Sequence, residues 1–164
     1  MATPAQRREL AALMDYLIAH RGKVHYPPGD KRTETIHGVR TLGMLHARIE
    51  RTQGLTIDCS QAVTLLCLVA GLDNPNGGNT DGYTGTLLAH LPHYHDARHA
   101  NVGALVVFGP GTGHHVGMVR RPDPKHGNPL LFSHGQESDP RLIPLGLEAA
   151  YQPAPVTLLS IAHL

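Results

Sequence analysis

The sequence predicts an α+β fold in which N-terminal helices pack on an antiparallel β-sheet. Three observations lead there. Apolar residues recur at helical spacing through residues 3–70, whereas after residue 103 they gather in short continuous runs divided by Gly and Pro. Helices that precede the strands, rather than alternating with them, belong to an α+β architecture and not to a doubly wound one. At 164 residues the chain fits one domain, whose core buries about 70% of the surface exposed by the unfolded chain.

The first helix is announced by Thr3-Pro4-Ala5-Gln6, a hydroxyl N-cap with proline at the first helical position and a capping-box glutamine at the third. Leu10, Leu13, Met14, Leu17 and Ile18 supply its apolar face, and Gly22 its stop. Pro27-Pro28-Gly29 makes residues 24–31 irregular. Val39, Leu42, Leu45 and Ile49 fit a second helix. Asp58 and Gln61 then cap a third, from Cys59 to about Ala70, with Val63, Leu66, Cys67 and Ala70 on one apolar face. Residues 73–85, rich in Asn, Gly and Asp, read as a loop, and 86–91 as a short helical turn. Strands are expected at 104–108, 116–120, 129–133 and 156–162, the first three forming hairpins across Gly- and Pro-bearing loops.

Composition removes several function classes. The 14 Lys+Arg and 13 Asp+Glu leave a net charge of +1, which gives no basic footprint for nucleic acid. No apolar run approaches the ~18 residues of a membrane span, so membrane insertion is not expected. Thirteen histidines invite a catalytic or metal reading. They also make chance matches to any histidine motif common.

The chemistry concentrates at Cys59. In the first turn of a helix, unpaired N–H groups and the positive end of the dipole favour a thiolate, which a free thiol with a pKa of about 8.5 otherwise lacks at neutral pH. The same N–H groups can hold an oxyanion formed by attack on a carbonyl. Cys67, two turns on, is a core residue, and eight positions along one helix are too far apart for a disulfide. A cysteine nucleophile needs an imidazole within reach and a polar group to orient it. His115 starts one predicted strand and His134 ends the next, so two imidazoles are expected at one end of the sheet. His114 points to the other face of its strand.

Asp58-Cys59-Ser60 opening a helix, then 103–108 (Gly-Ala-Leu-Val-Val-Phe), His115-Val116-Gly117-Met118-Val119 and Phe132-Ser133-His134 together resemble the NlpC/P60 papain-like cysteine peptidases. The likeness runs from Ile57 to the C-terminus, with 141–145 similar to the family's final hairpin. It implies a papain-like fold, with a helical part at 1–55 and a catalytic core at 56–164. It further implies cleavage of amide bonds in peptidoglycan stem peptides, with Cys59 as nucleophile, His115 as base, His134 as orienting residue and no cofactor. The family's tyrosine shortly before the cysteine, which helps bind the tetrahedral oxygen, has Tyr26 as its nearest upstream counterpart. Asp58, Ser60, Tyr26 and His114 are therefore the expected oxyanion and substrate residues.

Other readings stay open at this point. His93-Tyr94-His95-Asp96 with His99 has the donor types for a zinc site with an open position for water, which would make a zinc-dependent wall amidase. Papain-like acyltransferases and deamidases share the Cys–His chemistry. No charged-then-apolar start resembles a signal peptide. The expectation is thus a monomer made in the cytoplasm of a phage host or producing bacterium and acting in the bacterial cell wall, first as a phage endolysin. Second comes an injected amidase toxin, whose partner would be an immunity protein.

Overall fold

The structure, a computed structural model, describes residues 1–136 and 138–164, and only the backbone of Asp30 and Ser138. Helix α1 (Pro4–Ala19) opens on the expected capping box, with Thr3 accepting from the Gln6 N–H and Gln6 returning the contact to the Thr3 N–H. Its stop comes at His20 rather than Gly22, because the chain tightens at once into a single 3₁₀ turn over Arg21–Lys23. Strand β1 (Val24–His25) follows, then helix α2 (Leu42–Ile49), capped by Thr41 and shorter than the apolar spacing from Val39 suggested. Strand β2 (Leu55–Thr56) runs parallel to β1, pairing Val24 with Leu55 and His25 with Thr56.

Helix α3 (Cys59–Val69) is the centre of the molecule, and all of its residues are buried. A helix that is apolar around most of its circumference must be covered on every side. Here α1 covers one flank and the sheet the other. Asp58 accepts from the Gln61 N–H at 2.8 Å while the Gln61 side chain accepts from the Asp58 N–H at 3.2 Å, so the capping box read from the sequence fixes the first turn. After the polar loop comes α4 (Thr84–His90).

The main sheet consists of β3 (His93–Tyr94), β4 (Leu105–Phe108), β5 (His115–Arg121), β6 (Leu130–Gly135), β7 (Ser138–Pro144) and β8 (Val156–Leu159). Their spatial order is β3-β8-β4-β5-β6-β7, and every pair is antiparallel. The expected hairpins hold for β4 to β6, and β7 extends them as a strand the apolar runs did not announce. The expected strand at 156–162 is β8, which returns to the far side of β4 after a short helix, α5 (Leu145–Tyr151). The free edge beyond β4 drives this return, since its N–H and C=O groups need partners. One sheet face, with Leu105, Val107, Val116, Met118 and Phe132, packs into the core with α3 and α1. The other, with Val106, Phe108, Val119 and Leu131, forms a second core with Ile143 and Leu145.

The segment between β1 and α2 folds over the head of α3. Gln61 donates to the Glu34 carbonyl at 2.9 Å, and the N–H groups of Ile36 and His37 both donate to Asp81 at 2.8 Å. Asp81 leads into Gly82, whose φ of 102° is in the left-handed region and whose missing Cβ would lie 2.5 Å from the Ser60 carbonyl oxygen. Gly82→Ala is therefore expected to destabilise the fold by roughly 1–3 kcal/mol, through both the backbone strain and the clash. Urea unfolding would show a lower midpoint with an unchanged slope.

Candidate active site

Cys59 sits at the first position of α3 and is buried apart from a small accessible fraction of 5%. The Gln61 N–H is taken by the Asp58 side chain and the Ala62 N–H by the Asp58 carbonyl. The N–H groups of Cys59 and Ser60 have no partner among the described residues, so they remain available as donors. A groove of about 320 Å³ opens over the sulfur, lined by Tyr26, Arg32, Asp58, Ser60, Tyr83 and His114 among others.

His115 enters from the first position of β5 with its ring stacked on Phe108, the centroids 5.9 Å apart. Its Nε2 lies 2.9 Å from the Ser133 hydroxyl and 3.2 Å from Glu148 Oε1. The ring is also near enough to Cys59 for the sulfur to favour its protonated form. With Nε2 occupied by Ser133 and Glu148, Nδ1 is the nitrogen left for the thiol. Burial alone would push the imidazole pKa down. The hydrogen bonds and charges of Cys59 and Glu148 outweigh it and raise the pKa to about 9.

Glu148 is a residue that sequence reasoning missed. It projects from α5, is fully buried, and accepts from Ser133 at 3.0 Å and Gln152 at 3.2 Å, while Arg141 lies 3.4 Å away. Burial pushes its carboxyl pKa up, but hydrogen bonds from His115, Ser133 and Gln152 and the imidazolium charge bring it down to about 2. A signal was present: Glu148 is the sole charged residue after Arg141, set in an otherwise apolar stretch. A lone acid there must either reach solvent or find a buried partner.

His134 does not take the place beside His115 expected of it. Phe132 pairs with Met118 across β5 and β6, so His115, three residues before Met118, and His134, two after Phe132, have opposite parity on the pleat. His134 instead points to the α3 side, where its Nε2 donates to the Ile57 carbonyl at 2.8 Å and its ring lies 5.5 Å from that of Tyr26. Burial is the main reason its pKa lies below the ordinary histidine value, which suits a neutral donor. The residue on the His115 side of β6 is Ser133.

The structure brings the remaining sequence candidates to the groove. Parallel pairing of β1 with β2 carries Tyr26 to the cysteine across the intervening residues, its hydroxyl 4.0 Å from the sulfur. Asp58, Ser60 and His114 all line the groove. The His93, His95, Asp96 and His99 run does not form the zinc site considered above. Asp96 grips the Arg98 guanidinium with both oxygens, and His93 bonds the Leu88 carbonyl at 3.2 Å. Among the described residues no group of three or more His, Cys, Asp or Glu side chains is disposed to hold a metal ion.

A cysteine beside an imidazole, with a carboxylate behind the ring and free N–H groups at a helix end, is a constellation suited to nucleophilic attack on a carbonyl. No protein-family model and no curated protein matches the chain. Among solved structures, the chain is similar to the peptidoglycan hydrolase RipB from Mycobacterium tuberculosis. The two share 18% identity, the match covers 97% of this chain and 68% of that one, and the TM-score is 0.49.

The pair His115–Glu148 makes stability depend on pH from both sides. The imidazole pKa is raised from 6.5 to about 9, so its contribution is complete below about 6.5 and is lost as pH rises through 9. The carboxyl pKa is lowered from 4.5 to about 2, so its contribution is present above 4.5 and is lost as pH falls towards 2. In Glu148→Gln the His115 pKa is expected to fall below the wild-type value, read by NMR titration of the imidazole resonances. The stability advantage of the wild type over this variant should shrink as pH rises from about 7 through 9, read by urea unfolding at each pH.

Proposed function

We infer that the protein hydrolyses an amide bond in the stem peptides of bacterial peptidoglycan, with Cys59 as nucleophile and His115 as base and then acid. The observation that carries the chemistry is the Cys59–His115–Glu148 arrangement, in which the helix N-terminus meets an imidazole backed by a buried carboxylate. The substrate class rests on the resemblance of four sequence motifs to those of NlpC/P60 peptidases, and a groove of about 320 Å³ lies over the sulfur.

His115 takes the thiol proton, and Glu148 stabilises the imidazolium so formed, as a carboxylate behind a catalytic histidine does in general. The Cys59 sulfur attacks the carbonyl carbon. The resulting oxyanion is held by the Cys59 N–H and the Tyr26 hydroxyl, whose position near the sulfur suits a donor to that oxygen. His115 returns the proton to the leaving nitrogen, the C–N bond breaks, and an acyl-thioester remains. Water enters, His115 removes its proton, and collapse of the second tetrahedral intermediate frees the acid and the thiol. Ser133 holds the ring from β6 and completes the orientation of Nε2.

The assay is mass spectrometry of fragments released from purified peptidoglycan and from defined muropeptides. Wild-type protein is expected to release stem-peptide fragments, and Cys59→Ala to reduce the rate by about 10³-fold or more. Undiminished release by Cys59→Ala sinks the reading. Tyr26→Phe is expected to lose about 10²–10³-fold in kcat, the scale of one oxyanion donor, with little change in KM.

A further inference from the structure

We propose that the cavity between β7 and α5, on the second-core face of the sheet, binds a small carboxylate with an apolar body, and that its occupancy is felt at His115 through Arg141 and Glu148. The cavity has a volume of about 510 Å³ and is lined by Arg141, Ile143, Leu147, Tyr151 and Gln152. That size is in the range of small-molecule sites, which combine apolar walls with a few converging polar groups. Among the described residues none lines both this cavity and the groove over Cys59. Two of its residues, Arg141 and Gln152, also reach Glu148, at 3.4 Å and 3.2 Å. On α5 a spacing of four groups Leu147 with Tyr151 and Glu148 with Gln152, so the cavity wall and the Glu148 contact run side by side. On β7 the two-residue period puts Arg141 and Ile143 on one face, and Arg141 stands opposite Ser133 in the register with β6.

The charge of the ligand follows from Arg141. Its Nη2 reaches Glu148 Oε2 at 3.4 Å, longer than the roughly 2.7–2.9 Å of a charge-assisted hydrogen bond. Its Nε is buried and has no hydrogen-bond partner among the described residues. An unmatched buried donor is unfavourable, so the guanidinium sits on a long contact and keeps hydrogen-bonding capacity for an anion. Glu148 depends little on that contact, because Ser133 at 3.0 Å and His115 at 3.2 Å already engage its Oε1. A carboxylate in the cavity offers the planar match that a guanidinium takes through two hydrogen bonds, whereas an ammonium there meets a cation. The body of the ligand follows from the opposite wall. Leu147 and Tyr151 are 49% and 69% exposed, and an acyl or aryl chain lying beside Ile143 covers both. Coupling to the active site takes one short route. When Arg141 turns to the ligand, Glu148 loses that neighbour and its charge is left to His115.

The probes are 4-phenylbutyrate, its primary amide and acetate, titrated into the full chain and followed by two-dimensional NMR of backbone amides and imidazole rings. Wild type is expected to bind 4-phenylbutyrate saturably in the low-millimolar range or tighter, with the largest amide shifts at Arg141, Leu147, Tyr151 and Gln152. The amide lacks the charge and acetate lacks the body, so each should bind at least about 10-fold more weakly. The His115 ring resonance should move as the site fills, although that ring lies outside the cavity. Arg141→Gln should remove the preference for the acid over the amide. The double variant Leu147→Ser with Tyr151→Ala, at exposed positions away from the catalytic groups, should weaken binding about 10-fold and still the His115 shift. No saturable shift, shifts centred elsewhere, equal affinity for acid and amide, or binding unchanged in the double variant overturns the site. Saturable binding that leaves the His115 resonance in place overturns the coupling. None of these readouts needs turnover, so failure of the peptidase reading and failure of this proposal are told apart.

Discussion

A buried carboxylate without a partner is among the least tolerable groups in a protein interior, and the arrangement around Glu148 answers that constraint. It is surrounded by His115, Ser133, Gln152 and Arg141, which come from β5, β6, the end of α5 and β7. Four separate segments therefore converge on one pair of oxygens. The register of β5 against β6 decides which side chains reach it, and the turn from β7 into α5 decides where it stands. Because His115 is one of the groups that hold the acid, the interaction that satisfies the carboxylate also favours the protonated form of the ring beside Cys59.

The α3 head was legible because capping is local: Asp58 and Gln61 announce it three residues apart, and the buried run from Ala62 to Ala70 says how deeply the helix lies. The hairpins from β4 to β6 were equally plain, since apolar runs and Gly-bearing turns are encoded nearby in sequence. The return of β8 to β4 was not, because it satisfies a sheet edge some fifty positions earlier (Leu105 pairs with Leu159) and leaves no trace in local pattern. Strand β3, two residues long, is an addition to that edge of the same non-local kind.

In the candidate site, the placement of Cys59 at a helix head and of His115 at a strand start was legible from position on their elements alone. His134 misled because nearness along adjacent strands was read without the parity of the pleat, and parity depends on a register that only the Met118–Phe132 pairing supplies. Tyr26 was readable only through family likeness, since the short parallel pairing of β1 with β2 gives almost no hydropathic signal. Arg32 passed unnoticed for a related reason: nothing in Lys31-Arg32-Thr33 distinguishes it from a solvated charge until Asp58 and Ser60 are seen to hold it beside the groove.

The placement of α5 between β7 and β8 gives the chain an order of assembly. Residues 145–151 connect the two sides of the sheet, and β8, hydrogen-bonded to both β3 and β4, is an interior strand made last. On a ribosome, the emerging N-terminal segment already contains the thiol and, soon after, the imidazole, but the acid that holds the imidazolium is still to come. The ring beside Cys59 thus acquires its buried carboxylate only once the segment that follows β7 is in place.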